Sequence, residues 1–442
     1  MMASLETNKI DVQKFHDEIE KYPMLCQSCG MCEAVCPSGA IKISQNPYSQ
    51  FVPYLDIDKC IGCTKCIKAC PVRENMYKST SVIGPYYKIF LAKSTTKEDV
   101  ENGSSGGVIT ALTQYGLDKG IFDEVLTQTS KDFKVISTPQ YIKETRKESG
   151  SKYISAPLCS VFDRKKCNVV ATALPCQAKA IKKQNTDTFI MGLFCSKLSL
   201  EDLAKYVAKK NKRKYEDIKK ITYRRGNWPG KFKMEFVDTS KNIEENLNRS
   251  QFNAAYNSYN FSCSGCLLCD DYFAESADIS FGDPWGKKQY VDGYIGETVV
   301  IVRTKRGMEF VEKAIEDNAI SVSEIDLLDV IRGHLKEIYN KKTALLQRIN
   351  TFEKESNAMK DYDKKVLIDI KNFKILNKYS IHNNWKRRVN TKKYNRMMKS
   401  SMKVMFFVRF SHAFLLSKRL KNSKNLQHYF NVALEEKIER EK

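Results

Sequence analysis

The chain has 442 residues, of which 42% are hydrophobic and 29% are charged, and its formal net charge is +22. This length predicts two or three globular domains, and we expect neither a secretory signal, nor a membrane anchor at the amino end, nor a later segment that spans a bilayer. Fifteen cysteines in such a chain indicate a reducing cytoplasm in which thiolates bind metal.

The first predicted element is a pair of cysteine runs, each spaced C-x2-C-x2-C-x3-C-P. In such runs the fourth cysteine reaches the cluster of the other run, because it lies too far round to join its own. The pattern therefore predicts two [4Fe-4S] centres. Their ligand sets would be Cys26, Cys29, Cys32 and Cys70 for one centre, and Cys60, Cys63, Cys66 and Cys36 for the other.

A zinc ribbon or a disulfide framework would also contain many cysteines. Neither accounts for this spacing, and no histidine lies between Asp17 and Gly333 to complete a zinc site. Residues 20–76 resemble a bacterial-type two-cluster ferredoxin domain, which implies a small α+β fold.

Strand-like and helix-like segments then alternate, which predicts one mixed α/β domain over residues 84–330. A strand is predicted at Tyr86–Ala92 and a helix at Gly107–Lys119. The further predicted strands are Asn168–Ala173, Phe189–Phe194, Phe232–Val237, Asp278–Phe281 and Thr298–Arg303.

A glycine-rich turn, Gly103-Ser104-Ser105-Gly106-Gly107, opens the predicted helix. Backbone amides at a helix amino end attract anions, so the turn is compatible with a cofactor phosphate. Ser-Gly-Gly also forms ordinary helix caps.

More cysteines follow predicted strands. Cys176 and Cys195 each come at a strand end, where α/β domains present functional groups. A third run contains Cys263, Cys266 and Cys269. These five thiols are candidates for the four ligands of a third [4Fe-4S] centre, and one of them is spare. Cys159 and Cys167 stand in no motif and are expected to be structural.

These segments together resemble the coenzyme F-420 (deazaflavin) hydrogenase/dehydrogenase beta-subunit family over residues 20–330. The motifs that carry the resemblance are Ser105-Gly106-Gly107, Ser151-Lys152-Tyr153, Pro175-Cys176-Gln177, Phe194-Cys195, Tyr223-Arg224, Cys266-x2-Cys269-Asp270, Asp278-Ile279-Ser280-Phe281-Gly282-Asp283 and Val302-Arg303. The resemblance implies a flavin-binding α/β domain with FAD, an adjacent iron-sulfur cluster, and hydride exchange with a deazaflavin or another two-electron acceptor.

By the same resemblance, the FAD or its phosphates would contact Ser105, Gly106, Gly107, Ser151, Lys152 and Tyr153. The third cluster would be bound by Cys176, Cys195, Cys266 and Cys269. Two features depart from the family pattern: Leu174 replaces a threonine that often precedes Pro-Cys-Gln, and Cys263 adds a thiol that competes with Cys269 as a ligand.

The absence of histidine from the middle domain limits the groups that can transfer protons. Lys152, Tyr153, Asp283 or a spare cysteine would have to supply one.

Residues 331–442 are predicted to be a helical, basic extension outside the family pattern. Sixteen Lys and Arg residues, and no Asp or Glu, lie between Lys371 and Leu434. The apolar segment Val404–Phe410 within it would either lie on a membrane surface or an acidic partner, or pack on the body of the protein.

Our leading hypothesis is a cytoplasmic iron-sulfur flavoprotein oxidoreductase. A peripheral location at the inner membrane face is the alternative for its localisation. The protein would exchange electrons with a ferredoxin or a deazaflavin and act on a small-molecule substrate. The alternative is a non-catalytic electron-transfer adaptor that relays electrons to a partner enzyme. A protein with structural clusters that binds membrane or nucleic acid through its tail is a third hypothesis, although no specific nucleic acid is expected.

Overall fold

The computed structural model describes residues 2–72, 81–130, 138–226, 229–257, 259–285, 296–345, 348 and 424–439. Within these ranges no helix combines the length and the apolar character that a membrane span requires. The apolar segment predicted at Val404–Phe410 lies outside the described residues.

The amino-terminal module is a small α+β unit, as the sequence predicts. It contains helices α1 (Met2–Lys21) and α2 (Met31–Ala34), strands β1 (Ile41–Gln45) and β2 (Phe51–Leu55), and helix α3 (Lys65–Ala69). The two strands pair antiparallel. Phe15 and Ile19 of α1 are buried against Val52, so the module includes a helix that begins before the predicted start at residue 20.

The remaining elements build two further sheets and the helices around them. They are β3 (Lys88–Ser94), α4 (Lys97–Asn102), α5 (Val108–Asp118), β4 (Glu124–Thr129), β5 (Thr138–Ile142), β6 (Val169–Ala173), α6 (Pro175–Lys182), β7 (Phe189–Leu193), α7 (Asp202–Lys210), β8 (Ile218–Arg225), β9 (Lys231–Phe236), β10 (Ile243–Asn246), α8 (Gln251–Asn257), β11 (Ile279–Gly282), β12 (Thr298–Val302), α9 (Lys305–Glu316), β13 (Ile320–Ser323), α10 (Leu327–Ile338) and α11 (Lys424–Glu435).

The large sheet has the order β13-β3-β12-β11-β7-β6-β4-β5. Its centre is parallel, because β4 pairs parallel with β6, β6 with β7, and β7 with β11. The carboxyl ends of parallel strands meet at one edge of a sheet. The segments that follow β6, β7 and β11 carry Cys176, Cys195 and Asp283, so this topology brings three predicted site residues to the same edge.

The smaller sheet, β10-β9-β8, is a separate antiparallel layer. Phe232, Met234 and Phe236 of β9 form a core with Val207 of α7 and Phe252 of α8. The sequence indicates only β9 of these strands, so the prediction of one mixed α/β domain did not include this second sheet.

The carboxyl-terminal part packs onto the large sheet. The predicted boundary at residue 330 falls inside α10, whose Ile331 and Leu335 are buried in one cluster with Val299 and Ile301 of β12. Tyr429 of α11 joins the same cluster. The described parts of the predicted extension therefore belong to the body of the protein, because their apolar faces are buried there.

The predicted strands and the predicted helix of the middle domain are confirmed to within two residues at each end. The strands β4, β5, β8, β10 and β13 were not predicted. Polar residues such as Thr127, Gln128 and Glu244 break the apolar runs in some of these strands, and strands at the margin of a sheet need fewer buried residues.

Candidate redox site

The eight cysteines of the amino-terminal module form two groups. In the first group, burial raises the pKa of the Cys29 thiol to about 12, and the Cys70 thiol adds to the rise. Burial and then the thiols of Cys29, Cys26 and Cys70 raise the pKa of Cys32. Cys70 therefore lies with the cysteines of the other run, as the spacing predicts.

The second group has the complementary composition. Burial raises the pKa of the Cys66 thiol to about 12, with contributions from Cys63, Cys60 and Cys36. Cys36 of the first run thus lies with the thiols of the second run, and Cys70 of the second run lies with the thiols of the first. The Cys66 thiol also raises the pKa of Cys32, so the two groups are neighbours.

A third group of thiols forms beside the carboxyl edge of the large sheet. Burial raises the pKa of Cys176, and the thiols of Cys269, Cys29, Cys266 and Cys195 contribute. Cys176 begins α6, Cys195 follows β7, and Cys266 and Cys269 lie in and after the 3-10 turn Ser264–Leu268. Four thiols from three separate segments are thus brought together. The Cys29 contribution shows that the first group adjoins them.

The fifth candidate, Cys263, faces the amino-terminal module. Its sulfur lies 3.4 Å from the Ser28 hydroxyl oxygen and 3.8 Å from the Cys26 carbonyl oxygen. It touches Cys266 and raises the pKa of that thiol. It is not among the largest influences on the pKa of Cys176, Cys195 or Cys269. Cys263 therefore lies at the edge of the third group, between it and the first.

The spacing of these thiols differs from that of a single-ion site. In the described part of the chain, no three side chains of His, Cys, Asp or Glu lie close enough together to share one metal ion. A four-iron cube separates its ligands more widely than one ion does, because each thiolate binds a different iron. Four buried thiols around one volume are the donor set that such a cube requires.

The module docks closely on the turn that carries Cys266. A Cβ atom on Gly265 would lie 2.1 Å from the Cys26 carbonyl oxygen, so only glycine permits this approach. Gln50 bridges the two units, because its side-chain oxygen accepts from the Ser264 amide at 3.2 Å and its side-chain nitrogen donates to the Cys26 carbonyl at 3.1 Å. These contacts therefore fix the position of the first thiol group relative to the third.

A cavity of about 710 Å³ opens beside the third group, and Cys195 is part of its wall. This volume is in the range of sites that hold a cofactor or drug-sized ligand. Its wall combines the turn before α5, the segment around Lys152, the carboxyl edge of the sheet and α10. The buried thiols thus form a continuous series from the module to the cavity.

The turn before α5 supplies one end of this cavity. Ser105 and Gly107 line it, and Ser151 lies beside this turn, with its amide donating to the Ser104 hydroxyl at 2.8 Å. Gly107 has φ +71° and is the N-cap residue of α5, which has eleven residues. Gly106 packs beneath the wall, since its amide donates to Thr298 Oγ1 at 3.1 Å and a Cβ there would lie 2.7 Å from the Ala92 carbonyl oxygen. We expect Gly106 to permit close packing and not to contact a ligand.

Lys152 and Tyr153 line the middle of the cavity. The Lys152 ammonium donates to the Glu148 carbonyl at 2.8 Å and lies 3.1 Å from the Glu148 carboxylate. Burial lowers the pKa of Lys152, which favours loss of its proton. Burial raises the pKa of Tyr153. The ring of Tyr153 packs against Tyr223, Phe252 and Tyr256.

Asp283 lines the cavity as part of an ion pair. Its carboxylate accepts from Arg224 Nη1 at 2.5 Å, and only 2% of the Arg224 side chain is exposed. Arg224 also donates to the Pro229 carbonyl at 2.8 Å. The sequence predicts Asp283 as a proton donor, but no local pattern indicates that Arg224 holds this carboxylate.

A histidine from α10 also reaches the cavity. His334 accepts or donates a hydrogen bond at 3.0 Å between Nδ1 and the Tyr272 hydroxyl, while its buried Nε2 has no hydrogen-bond partner. Burial lowers the pKa of His334 to about 4, so the imidazole is neutral near pH 7. A histidine therefore lines the cavity, although none lies in the sequence of the predicted middle domain. No local motif signals this residue, because only packing of α10 on the sheet brings it to the cavity.

Two more ionisable side chains that the sequence analysis missed line the same end. Lys197 lies over the rings of Tyr256 and Tyr259, 4.0 and 4.1 Å from their centroids, and burial lowers its pKa to about 7. The buried Glu337 Oε2 has no hydrogen-bond partner. This end of the cavity thus offers polar groups to a ligand.

Sequence models of known families match most of the described domains. The model described as "Coenzyme F420 hydrogenase/dehydrogenase, beta subunit N-term" matches residues 89–163, and its C-terminus counterpart matches residues 166–327. The chain belongs to this family. The model "4Fe-4S dicluster domain" matches residues 25–73. An amino-terminal iron-sulfur domain is therefore fused to a beta-subunit domain of an oxidoreductase family.

The chain is similar to several archaeal proteins. It is 26% identical over 334 residues to the coenzyme F420-dependent sulfite reductase of Methanocaldococcus jannaschii, a match that covers 69% of this chain but only 48% of that protein. It is 26% identical to a subunit of the F(420)H(2) dehydrogenase of Methanosarcina mazei, over 66% of this chain and 88% of that one. It is also 26% identical to the coenzyme F420 hydrogenase beta subunit of Methanococcus voltae, over 62% and 93%.

Among solved structures, the chain resembles one from the F420-reducing [NiFe] hydrogenase complex of Methanosarcina barkeri. The match has a TM-score of 0.49 and 23% identity, and it covers 62% of this chain and 95% of that one.

Proposed function

We propose that the chain is an iron-sulfur flavoprotein oxidoreductase with three [4Fe-4S] centres and an FAD in the cavity. The observation that carries this proposal is the continuous series of buried thiol groups that ends at Cys195 in the cavity wall. Such a series connects a one-electron partner at the amino-terminal module with a ligand in the cavity. When bound there, FAD would supply the conversion between one-electron and two-electron chemistry, by hydride exchange with an organic acceptor.

The ligand sets follow from the three thiol groups. The first centre would take Cys26, Cys29, Cys32 and Cys70, the second Cys36, Cys60, Cys63 and Cys66, and the third Cys176, Cys195, Cys266 and Cys269. Cys263 would be the spare thiol, since its sulfur is directed at Ser28 and at the Cys26 backbone.

The residues of the cavity fit a dinucleotide. Ser105, Gly107 and Ser151 lie near the amino end of α5, where helix amides and the helix dipole favour a phosphate. Lys152 would add a positive charge beside it, and Tyr153 an aromatic surface. The fit is supported by the cavity volume and by the unpartnered His334 Nε2, which a bound ligand can satisfy.

The chain's own groups would position ligands and hold protons. Arg224 holds the Asp283 carboxylate in place through their ion pair, so Asp283 would act as a hydrogen-bond acceptor. Lys152, with its pKa lowered by burial, is the group best placed to give up a proton near the middle of the cavity. His334, neutral near pH 7, can donate or accept one at the α10 end.

The acceptor we propose is a deazaflavin or another small organic compound. The names of two relatives, a coenzyme F420-dependent sulfite reductase and a coenzyme F420 hydrogenase beta subunit, support a deazaflavin. The electron donor or acceptor at the module would be a ferredoxin or a subunit of a larger complex. We propose that the protein works in the cytoplasm, and the basic tail, which lies mostly outside the described residues, is a candidate contact for an acidic partner or a membrane.

Iron and flavin content after anaerobic purification tests the proposal. We expect about twelve iron atoms per chain, from three four-iron centres, together with one FAD. About eight irons and no flavin would leave only the ferredoxin-type module active, and the adaptor hypothesis would replace this one.

A pair of cysteine variants assigns the third centre. Cys195→Ser should remove about four of the irons, since serine replaces a thiolate of the third group. The exposed Cys167, outside all three groups, gives the matched control: Cys167→Ser should keep the wild-type iron content. If neither variant loses iron, the assignment of the third centre is wrong.

A further inference from the structure

The residue that follows α11 binds the segment between the amino-terminal module and β3. The Glu436 carboxylate accepts hydrogen bonds from three consecutive backbone amides, those of Val82 at 2.6 Å, Ile83 at 2.8 Å and Gly84 at 3.0 Å. Hydrogen bonds from amides to an ionised carboxylate are stronger than neutral ones, and successive amides that converge on one anion form a concave binding site for it. Glu436 therefore holds a segment that lies 352 to 354 positions before it in the chain.

The backbone beside this carboxylate extends the contact. The Tyr86 amide donates to the Glu436 carbonyl at 3.2 Å, and the Ile438 amide donates to the Tyr86 carbonyl at 2.6 Å. These two bonds form a parallel β-bridge, the pattern by which an added strand binds a sheet edge. We call this contact, between residues 436–438 and residues 82–86, the carboxyl-terminal clasp.

The clasp and α11 pack on the apolar face of α10. One buried cluster contains side chains of all three segments: Val82, Ile83 and Tyr86 before β3, Val330, Ile331, Leu335 and Ile338 of α10, and Leu426, Tyr429 and Ala433 of α11. A hydrogen bond between the hydroxyls of Tyr429 and Thr343 also joins α11 to the turn that continues α10. Part of the packing that holds α10 therefore comes from the clasp and from α11.

The other face of α10 is a wall of the cavity. Gly333, His334 and Glu337 line it. The helix fits closely here, because a Cβ atom on Gly333 would lie 1.7 Å from the carbonyl oxygen of Trp285, which also lines the cavity. A small displacement of α10 would therefore change the shape of this wall and the direction of the His334 imidazole.

Both partners of the clasp lie outside the regions that the family models match. Those matches cover residues 25–73, 89–163 and 166–327. The family assignment therefore gives no role to residues 82–86 or to residues 436–438.

We propose that Glu436 is a positioning residue, and that the clasp it forms holds α10 where the cavity binds its ligand. The proposal rests on the proposed function, because the ligand in question is FAD. A peripheral helix such as α11 can open without unfolding of the central sheet. Opening would remove part of the packing behind α10, and the apparent affinity for FAD falls in proportion to the fraction of molecules whose binding site is intact.

A first test uses the wild-type chain, because coupling between two sites is reciprocal. If the closed clasp favours FAD binding, bound FAD favours the closed clasp, although none of the described clasp residues lines the cavity. Amide hydrogen exchange of the full chain, with and without FAD, measures this effect. We expect FAD to slow exchange in the peptide that contains Val82, Ile83 and Gly84. Protection by FAD that is confined to the residues of the cavity wall would overturn the proposal.

A second test replaces the carboxylate. Glu436→Gln keeps the size of the side chain but has one acceptor oxygen and no charge, so it cannot serve three amides equally well. We expect faster exchange at Val82–Gly84 and in α10, and an increase of about tenfold in the dissociation constant for FAD. Iron content and the electron paramagnetic resonance signals of the clusters should match the wild type. Glu435→Gln, at the exposed position before it, is the matched control and should change neither exchange nor affinity.

The remaining outcomes also decide the proposal. Wild-type affinity for FAD in Glu436→Gln overturns it, and so does faster exchange that spares α10. If exchange rises equally in β6 and β7, the variant is globally destabilised, and Tyr429→Phe, which removes only the hydroxyl bonded to Thr343, takes its place with the same expected results. A wild-type chain that binds no FAD contradicts the proposed function instead, and its flavin content distinguishes that failure from a failure of this inference.

Discussion

The amino-terminal module and the middle domain gather cysteines in opposite ways. In the module, all eight thiols lie in one stretch of 45 residues, from Cys26 to Cys70, and short turns bring them into two groups. In the middle domain, the third group draws on residues 176–269, from α6, the end of β7 and a 3-10 turn. A local motif therefore predicts ligands by spacing alone, whereas a dispersed set depends on the sheet that positions its members.

The largest expected effect tests the crossing of the fourth cysteines. Cys70→Ser should abolish the centre formed with Cys26, Cys29 and Cys32, so about four irons are lost, while the centre formed with Cys66 remains. Cys36→Ser should give the reverse result. Iron content and the resonance signals of the two variants check this. If Cys70→Ser instead removed the signal that depends on Cys66, each run would bind its own cluster and the crossed arrangement would be wrong.

The corresponding test in the middle domain compares two neighbouring cysteines. Cys269→Ser should remove the third centre, with a loss of about four irons, because Cys269 lies with Cys176 and Cys195. Cys263→Ser should keep that centre, since Cys263 faces Ser28 at 3.4 Å. Iron content of both variants is the measurement. The opposite outcome would make Cys263 the ligand and Cys269 the spare thiol.

The next effect concerns a contact that only the fold creates. Asp283→Asn should destabilise the protein by about 3–5 kcal/mol, because it leaves the buried Arg224 guanidinium without its counter-charge. Glu244→Gln removes half of an exposed pair with Lys231 and should cost less than about 1 kcal/mol. Anaerobic urea unfolding of the full chain compares them. If both variants lose the same free energy of unfolding, the Arg224–Asp283 pair is solvated.

The smallest effect is a pH dependence from the α10 end of the cavity. The pKa of His334 is lowered from 6.5 to about 4 in the folded chain, so below pH 6.5 the unfolded chain binds a proton that the folded chain excludes. Its contribution to stability is complete above pH 6.5 and is lost as the pH falls towards 4, by up to about 3 kcal/mol.

Variants isolate that contribution. His334→Gln should weaken the fall in stability between pH 6.5 and 4, measured as the urea midpoint at each pH. His16, whose pKa burial also lowers to about 4, remains as a constant background. His428→Gln, at an exposed position, should leave the pH dependence unchanged. A profile for His334→Gln identical to that of the wild type would mean that water reaches His334 in the folded protein.

The candidate site was predictable where chemistry follows local spacing. The runs around Cys26 and Cys60, the strand ends before Cys176 and Cys195, and the turn at Ser105 were all identified from sequence. Arg224 was named only as part of a family motif, and its ion pair with Asp283 was not predicted, because the two residues lie 59 positions apart. His334 was not predicted, because the packing of α10 on the sheet brings it to the cavity. The second sheet was missed for a similar reason, since its polar, exposed faces hide the period of its strands.

By itself, the sequence determined the cysteine-rich module, the family and the positions of the predicted strands, since spacing and apolar periodicity depend on neighbouring residues. Only the tertiary structure decided that Cys263 contacts Cys266 but faces Ser28 and the Cys26 backbone, and that α10 brings His334 to the cavity. Those relations depend on which surfaces pack together. Packing is decided by the summed burial of apolar faces over the whole chain, which no short segment encodes.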